Sequence, residues 1–144
     1  IVELNLYDSD ITNKELRVLS LLPNLQQLYL GNTQVSDLSP LSELKNLSSL
    51  NLNGTQVSDL SRLSESKSLR VLNLNGTQVH DLRPLSKLRG LEWIHLKNTK
   101  VMDLNPLRDL LFLQYLYLSK SNLTENQMEA IQMTLHHCDV KFEK

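Results

Sequence analysis

Four side chains that can bind metal ions follow one another near the end of the chain, from His136 to Asp139. Neighbouring residues point in different directions, whereas zinc sites usually separate their ligands by two or more residues. Cys138 and a histidine would supply a nucleophile–base pair, but nothing suggests a third group that would orient the base. The run therefore predicts a structural segment in which Cys138 is a small buried residue.

Aspartates recur at a fixed interval through the middle of the chain, at Asp37, Asp59, Asp81 and Asp103. A row of carboxylates can bind cations, but its recurrence in every unit favours a structural role. In that role each carboxylate accepts hydrogen bonds from backbone N–H groups. The sequence has no G-x-S-x-G, Walker, H-E-x-x-H or C-x-x-C motif. We therefore predict a protein that is not an enzyme and has neither a cofactor nor a metal site.

These residues belong to repeats that set the organisation of the whole chain. Of the 144 residues, 34 are leucine, and the leucines recur with fixed spacing. The segment from Leu47 to Val57 is nearly identical to that from Leu69 to Val79, and looser copies lie on both sides. Repeats start near residues 1, 25, 47, 69, 91 and 113. Self-similarity at a fixed period indicates a solenoid, and we expect residues 1–144 to form a single domain.

The repeat follows the pattern L-x-x-L-x-L-x-x-T-x-V-x-D-L-x-P-L-x-x-L-x-x. It resembles the 22-residue leucine-rich repeat of the internalins and of the nuclear phosphatase regulators. That resemblance implies an α/β solenoid with six repeats and a C-terminal cap. A curved parallel sheet would form its concave side, and short 3₁₀ or helical turns its convex side. The sequence departs from the family at one column, where the usual asparagine is replaced by Ser9, Thr33, Thr55, Thr77, Thr99 and Ser121.

Within each repeat the L-x-L pair alternates as in a strand, so both leucines are expected to point inward. Stacked repeats would join these strands into a parallel sheet. The Ser or Thr column lies in the following turn, where each hydroxyl is expected to bond the turn's backbone and to form a ladder with neighbouring copies. Leucines spaced by three, such as Leu41 and Leu44, predict a 3₁₀ or short helical return segment.

The return segments differ in detail between repeats. Ser39-Pro40 and Asn105-Pro106 predict an N-cap followed by proline at the first helical position. Ser66 occupies a place that other repeats fill with leucine. We interpret it as a locally loosened convex side in that repeat, with a tolerated drift of the repeat pattern as the alternative.

The two ends of the chain depart from the repeat. Capping boxes at Thr12–Glu15 and Thr124–Gln127 predict helices over about 13–20 and about 125–136. Residues 138–142 predict a last strand with Val140 inward, so that residues from about 124 to 144 form a cap over the end of the solenoid. The buried stripe of the second helix is expected to comprise Met128, Ile131 and Leu135. No comparable cap precedes Ile1, and we expect the sequence to be a fragment of a longer protein.

All four tyrosines and the only tryptophan stand at positions beside the inward leucines, where side chains face outward. Leucine builds the core, so these rings are not needed to fill it, and Tyr and Trp dominate interface energetics. The outward positions of the six strands carry only two charges, Glu3 and Lys97. We predict a partner-binding surface centred on Trp93 and comprising Tyr7, Tyr29, Asn51, Asn73, Trp93, His95, Lys97, Tyr115 and Tyr117.

The leading functional hypothesis is a non-catalytic module that binds a protein partner through its concave face. Two alternatives stay open: the substrate-recognition segment of a larger enzyme such as a ligase, kinase or GTPase, and carbohydrate binding. The net charge of −1 and the absence of a basic row argue against nucleic acid. No apolar run is long enough for membrane insertion. Glycosylation sequons occur at Asn46, Asn53, Asn75 and Asn122, but compartment, oligomeric state and partner identity are not determined by the sequence.

Overall fold

The computed structural model describes residues 1–121 and 123–144, so the sequon at Asn122 lies outside the described residues. Its central feature is a parallel sheet in which every strand lies beside the strands that precede and follow it in sequence. Parallel neighbours need a long connection, which each repeat provides. The order and direction of the strands confirm the solenoid fold. The seven strands are β1 (Glu3–Asn5), β2 (Gln27–Tyr29), β3 (Ser49–Asn51), β4 (Val71–Asn73), β5 (Trp93–His95), β6 (Tyr115–Ser119) and β7 (Asp139–Glu143).

The strand register places the inward residues of successive repeats directly beside one another. Leu50 pairs with Leu72, and Leu72 pairs with Ile94. All three are fully buried. Stacking the inward side chains in one continuous column removes their apolar surface from water. The predicted inward and outward positions are confirmed in every complete repeat.

In the turn after each strand, the hydroxyl of the Ser/Thr column donates to the backbone carbonyl three residues earlier. The predicted bond to the turn's backbone is therefore confirmed in five turns. The predicted ladder between copies is wrong, because each of these bonds stays within its own repeat. The pairs are Ser9–Leu6, Thr33–Leu30, Thr55–Leu52, Thr77–Leu74 and Thr99–Leu96, with O···O distances between 2.6 and 2.9 Å.

The aspartate column has the predicted structural role. Asp37 accepts from the backbone N–H of Ser39 at 2.9 Å, and Asp59 from that of Ser61 at 2.8 Å. Asp81 and Asp103 accept in the same way from the residues two positions later. The Ser39 hydroxyl, followed by the Ser39 backbone N–H, holds the pKa of Asp37 below its ordinary value. The backbone N–H and hydroxyl of Ser61 lower the pKa of Asp59, and the Arg83 side chain is the first cause that lowers the pKa of Asp81 to about 2.

The return segments are short 3₁₀ turns over Ser39–Glu43, Ser61–Leu63, Arg83–Leu85 and Asn105–Leu107. The predicted N-caps at Ser39 and Asn105 are wrong, because the turns begin at these residues and their cap positions are Leu38 and Leu104. The preceding aspartates satisfy the first N–H groups instead, as described above.

The repeat that contains Ser66 is regular along its backbone. The Ser66 N–H donates to Leu63, and its carbonyl accepts from Leu69. Leu44 makes the equivalent pair of bonds in the preceding repeat. The predicted loosening is therefore wrong for the backbone, and Ser66 lies buried in the leucine column, 5% exposed.

Both predicted helices form, and both are shorter than predicted. α1 spans Asn13–Leu16 and continues as a 3₁₀ turn over Arg17–Leu21, while α2 spans Glu125–Thr134. Both capping boxes are present. Neither helix has the length and apolar character of a membrane span, as far as the described residues extend.

The cap covers the core less completely than predicted. Leu135, just after α2, is fully buried, but α2 itself has no buried residue. Ile131 is half-buried and packs against the core, so the predicted stripe is confirmed there only in part. Met128 is half-buried and is not among the residues packed against the core, so the prediction is wrong for Met128. Val140 points inward from β7, as predicted, and is 6% exposed.

Candidate functional site

Four ring-bearing residues predicted to face outward lie together on the solvent side of the sheet. Trp93 pairs with Tyr115, and His95 with Tyr117, across β5 and β6. Neighbouring strands bring such cross-strand pairs into contact on one face. We call Trp93, His95, Tyr115 and Tyr117 the aromatic cluster.

The rings of the aromatic cluster are packed against one another. The Trp93 and Tyr115 ring centroids are 4.6 Å apart, with the planes tilted by 45°. His95 stacks on Tyr117 at 4.3 Å and 3°. Such contacts stabilise each pair by about 0.5–1.5 kcal/mol beyond area burial. Each ring is half-buried, so the cluster is an ordered apolar platform that still contacts solvent.

His95 is half-buried in the aromatic cluster, stacked on Tyr117. Burial lowers the pKa of its imidazole below the ordinary 6.5. Glu143 acts in the opposite direction, and Lys97 adds to the lowering. The cluster therefore favours a neutral His95 that can both donate and accept a hydrogen bond.

β7 adds charged side chains to this face beside those of β6. Glu143 lies 2.6 Å from the Lys97 ammonium, and Asp139 lies 2.6 Å from that of Lys141. Glu3 and Lys97 remain the two charges on the six predicted strands, and β7 adds Asp139, Lys141 and Glu143 beside them. Lys97 is 28% exposed and its charge is compensated. The strand predicted at residues 138–142 forms as β7, and its outward side chains extend this face.

The asparagines of the central strands support the backbone. The Asn51 side-chain oxygen accepts from the Asn53 N–H at 2.9 Å, and the Asn73 oxygen from the Asn75 N–H at 3.0 Å. Asn75 in turn accepts from the Lys97 N–H at 2.8 Å. The side-chain oxygens of Asn51 and Asn73 are thus engaged in the fold.

Tyr7 and Tyr29 lie apart from the aromatic cluster, on the far side of β3 and β4. The Tyr7 ring covers Gly31, where any side chain would collide with it. Its hydroxyl accepts from Asn32 at 3.1 Å. The Tyr29 hydroxyl donates to Gln27 at 2.9 Å. The strand register places Asn73 directly beside His95, and Asn51 and Tyr29 continue the same row on β3 and β2. The structure thus brings Lys97 and Asn73 next to the aromatic cluster, while the role of the nine predicted residues in binding stays a prediction.

Within the His136–Asp139 run, Cys138 is buried, as predicted. Cys138 is 7% exposed, and burial, together with Asp139, raises its thiol pKa to about 11. The thiol therefore stays protonated and is a poor nucleophile at neutral pH. Over residues 1–121 and 123–144, no three His, Cys, Asp or Glu side chains converge to hold a metal ion.

Comparison with known proteins agrees with the repeat and the fold. A family model described as leucine-rich repeats, in two copies, matches residues 23–65. These residues include β2, β3 and the return segments that follow them. The chain is a leucine-rich-repeat solenoid.

Solved leucine-rich-repeat structures superpose over almost the whole solenoid. An internalin (inlF) from Listeria monocytogenes is 23% identical over 98% of this chain and 47% of its own, with a TM-score of 0.68. A leucine-rich-repeat protein from Leptospira interrogans is 25% identical over 99% of this chain and 37% of its own, with a TM-score of 0.86. Internalin C2 of Listeria monocytogenes is 22% identical over 100% and 74%, with a TM-score of 0.66.

The solenoid therefore spans less than half the length of the first two of these proteins. Among curated proteins, none matches the sequence significantly. Leucine-rich-repeat folds commonly act as protein–protein interaction modules, and one fold serves many partners. The comparisons establish the internalin-like fold.

Proposed function

We propose that this solenoid is a non-catalytic module that binds a protein partner through the aromatic cluster on the concave side of its sheet. The observation that carries the proposal is the packing of Trp93, His95, Tyr115 and Tyr117 into one half-exposed platform. Large rigid rings lose little conformational entropy on binding, and their polar groups can bond a partner.

The surroundings of the cluster favour a protein partner over a sugar. Carbohydrate binding would use the asparagines beside the rings as both donors and acceptors. The oxygens of Asn51 and Asn73 are already bonded to backbone N–H groups. The salt-bridged pairs Lys97–Glu143 and Lys141–Asp139 instead border the rings with polar groups, as in a protein interface with an apolar centre and a polar rim. The same surface could also serve if the solenoid is the substrate-recognition segment of a larger enzyme.

The test compares wild type with Trp93→Ala and Tyr117→Ala in affinity capture from a native lysate, followed by titration of the captured partner. Each truncation should weaken binding by about thirtyfold or more, the effect of an interface hot spot. Circular dichroism should show unchanged folding.

Two exposed positions away from the cluster serve as controls. Leu21→Ala removes a side chain that is 77% exposed at the other end of the solenoid, and Lys87→Glu reverses a convex charge. Neither should alter affinity. Full affinity in both aromatic variants, with loss in Lys87→Glu, would place the binding surface on the convex side. If the solenoid binds sugars on a glycan array and captures no protein from the lysate, the result would favour the carbohydrate alternative.

A further inference from the structure

A groove of about 770 Å³ opens between the fifth repeat and the cap, away from the aromatic cluster. Val101 and Leu104 line it from the repeat, and Leu123, Ala130 and Ile131 line it from the cap segment. Most of its wall is thus formed by aliphatic side chains.

The groove exists because the core is incompletely closed at this end. In the preceding repeat, Val79 and Leu82 are 0% and 1% exposed. Val101 and Leu104 hold the same places but are only partly buried. A sixth complete repeat would cover them, whereas the chain continues into α2, which has no buried residue.

Two residues at the rim of the groove depart from their repeat columns. Lys100 stands where earlier repeats have Gln34, Gln56 and Gln78, and Met102 stands where they have Ser36, Ser58 and His80. Met102 is 93% exposed. Lys100 is the one charged residue among the described residues that line the groove. The fifth repeat thus places a cationic and a flexible apolar side chain beside its partly buried residues Val101 and Leu104.

We propose that this groove binds a single-chain amphiphile with an anionic head, such as a medium-chain carboxylate. The volume falls within the roughly 300–1,000 Å³ of small-molecule sites. The Lys100 ammonium would pair with the anionic head. The alkyl chain of the ligand would lie along Val101, Leu104 and Ile131, in the space that a sixth complete repeat would fill. Met102 would fold over it, since an unbranched thioether adapts readily to a ligand.

Calorimetric titration with decanoate, and with uncharged decanol as a second probe, tests this site. Wild type should bind decanoate saturably, with about one equivalent. Ala130→Phe should fill the groove from an exposed helix position and weaken both probes by roughly tenfold or more. Lys100→Gln, which restores the column residue, should weaken decanoate by roughly fivefold and leave decanol within about twofold.

Matched variants separate the groove from general effects. Met133→Phe introduces the same ring on the same helix, at a position 77% exposed and outside the groove. Lys87→Gln removes a convex charge. Both should bind decanoate like wild type, as should Trp93→Ala, since this site is independent of the proposed partner surface. No saturable binding by wild type, full affinity in folded Ala130→Phe, or equal loss in Met133→Phe would each overturn the proposal.

Discussion

At the residue scale, the hydroxyl of the Ser/Thr column bonds within its own turn in five repeats. The carbonyl of Leu74 accepts two hydrogen bonds from Thr77, one from the hydroxyl at 2.7 Å and one from the backbone N–H at 3.2 Å. Thr77 is 1% exposed, so water cannot replace either bond. A hydroxyl thus suffices in the column where the family usually has asparagine.

Thr77→Val deletes the hydroxyl bond and keeps the shape of the side chain. Because the Leu74 carbonyl retains its backbone bond, we expect a loss of about 1 kcal/mol of unfolding free energy, at the low end for a buried bond. Thr77→Asn, whose amide can donate to the same carbonyl, should be tolerated. Urea unfolding measures both, and a stable Val variant beside an unfolded Asn variant would refute the hydroxyl assignment.

His95 should make stability depend on pH. Its folded-state pKa lies below 6.5, so the unfolded chain takes up the proton first as pH falls. The contribution of neutral His95 is fully present above pH 6.5 and is lost as pH falls from 6.5 to the folded pKa. Tyr117, Lys97, Glu143 and the uncharged Asn73 face the ring.

Urea unfolding at pH 7.5, 6.5 and 5.5 measures this dependence. His95→Gln should lose less stability than wild type between pH 6.5 and 5.5. His80→Gln, at an exposed position, should behave like wild type. Identical pH dependence in wild type and His95→Gln would contradict the burial of the ring.

At the scale of elements, the return segment over Ser61–Leu63 keeps the backbone bonds of its neighbours despite Ser66. The equivalent residues Leu44, Leu88 and Leu110 are at most 1% exposed. Only the side chain is therefore smaller, and the surrounding backbone is already arranged for leucine.

Ser66→Leu should raise the unfolding free energy by about 1–2 kcal/mol, because it buries additional apolar groups in an existing column. Ser58→Leu, at an exposed position, should change stability little. Thermal and urea unfolding compare the two variants. Lower stability in Ser66→Leu would mean that neighbouring side chains have filled the space, so that leucine overpacks it.

At the scale of the whole molecule, the repeats share one continuous core from Leu16 to Val140. Each repeat buries its leucines against its neighbours, so stability depends on the interfaces between repeats. A defect in a central repeat weakens two interfaces at once.

Leu72→Ala, in the central strand β4, should cost about 2–5 kcal/mol. Lys45→Ala, at an exposed convex position, should be near neutral. Chemical denaturation monitored by circular dichroism gives both values. Equal shifts in the two variants would mean that the assignment of inward and outward positions is wrong.

The sequence by itself determined the structural features that recur in every repeat. The inward leucines, the parallel order of six strands, the turn hydroxyls and the juxtaposition of Trp93 with Tyr115 follow from the spacing. They do so because stacked copies must place equivalent residues side by side. The two capping boxes could also be predicted from the sequence, because the residues that form each box lie three positions apart.

Only the tertiary structure decided how the C-terminal cap, which does not follow the repeat, contacts the solenoid. The Lys97–Glu143 pair joins residues far apart in sequence, and no periodic pattern links them. The incomplete burial of α2, and with it the groove beside Val101, depends on how an aperiodic helix packs onto the last repeat. Local patterns specify which face a side chain occupies, but contacts between non-equivalent elements depend on their three-dimensional packing.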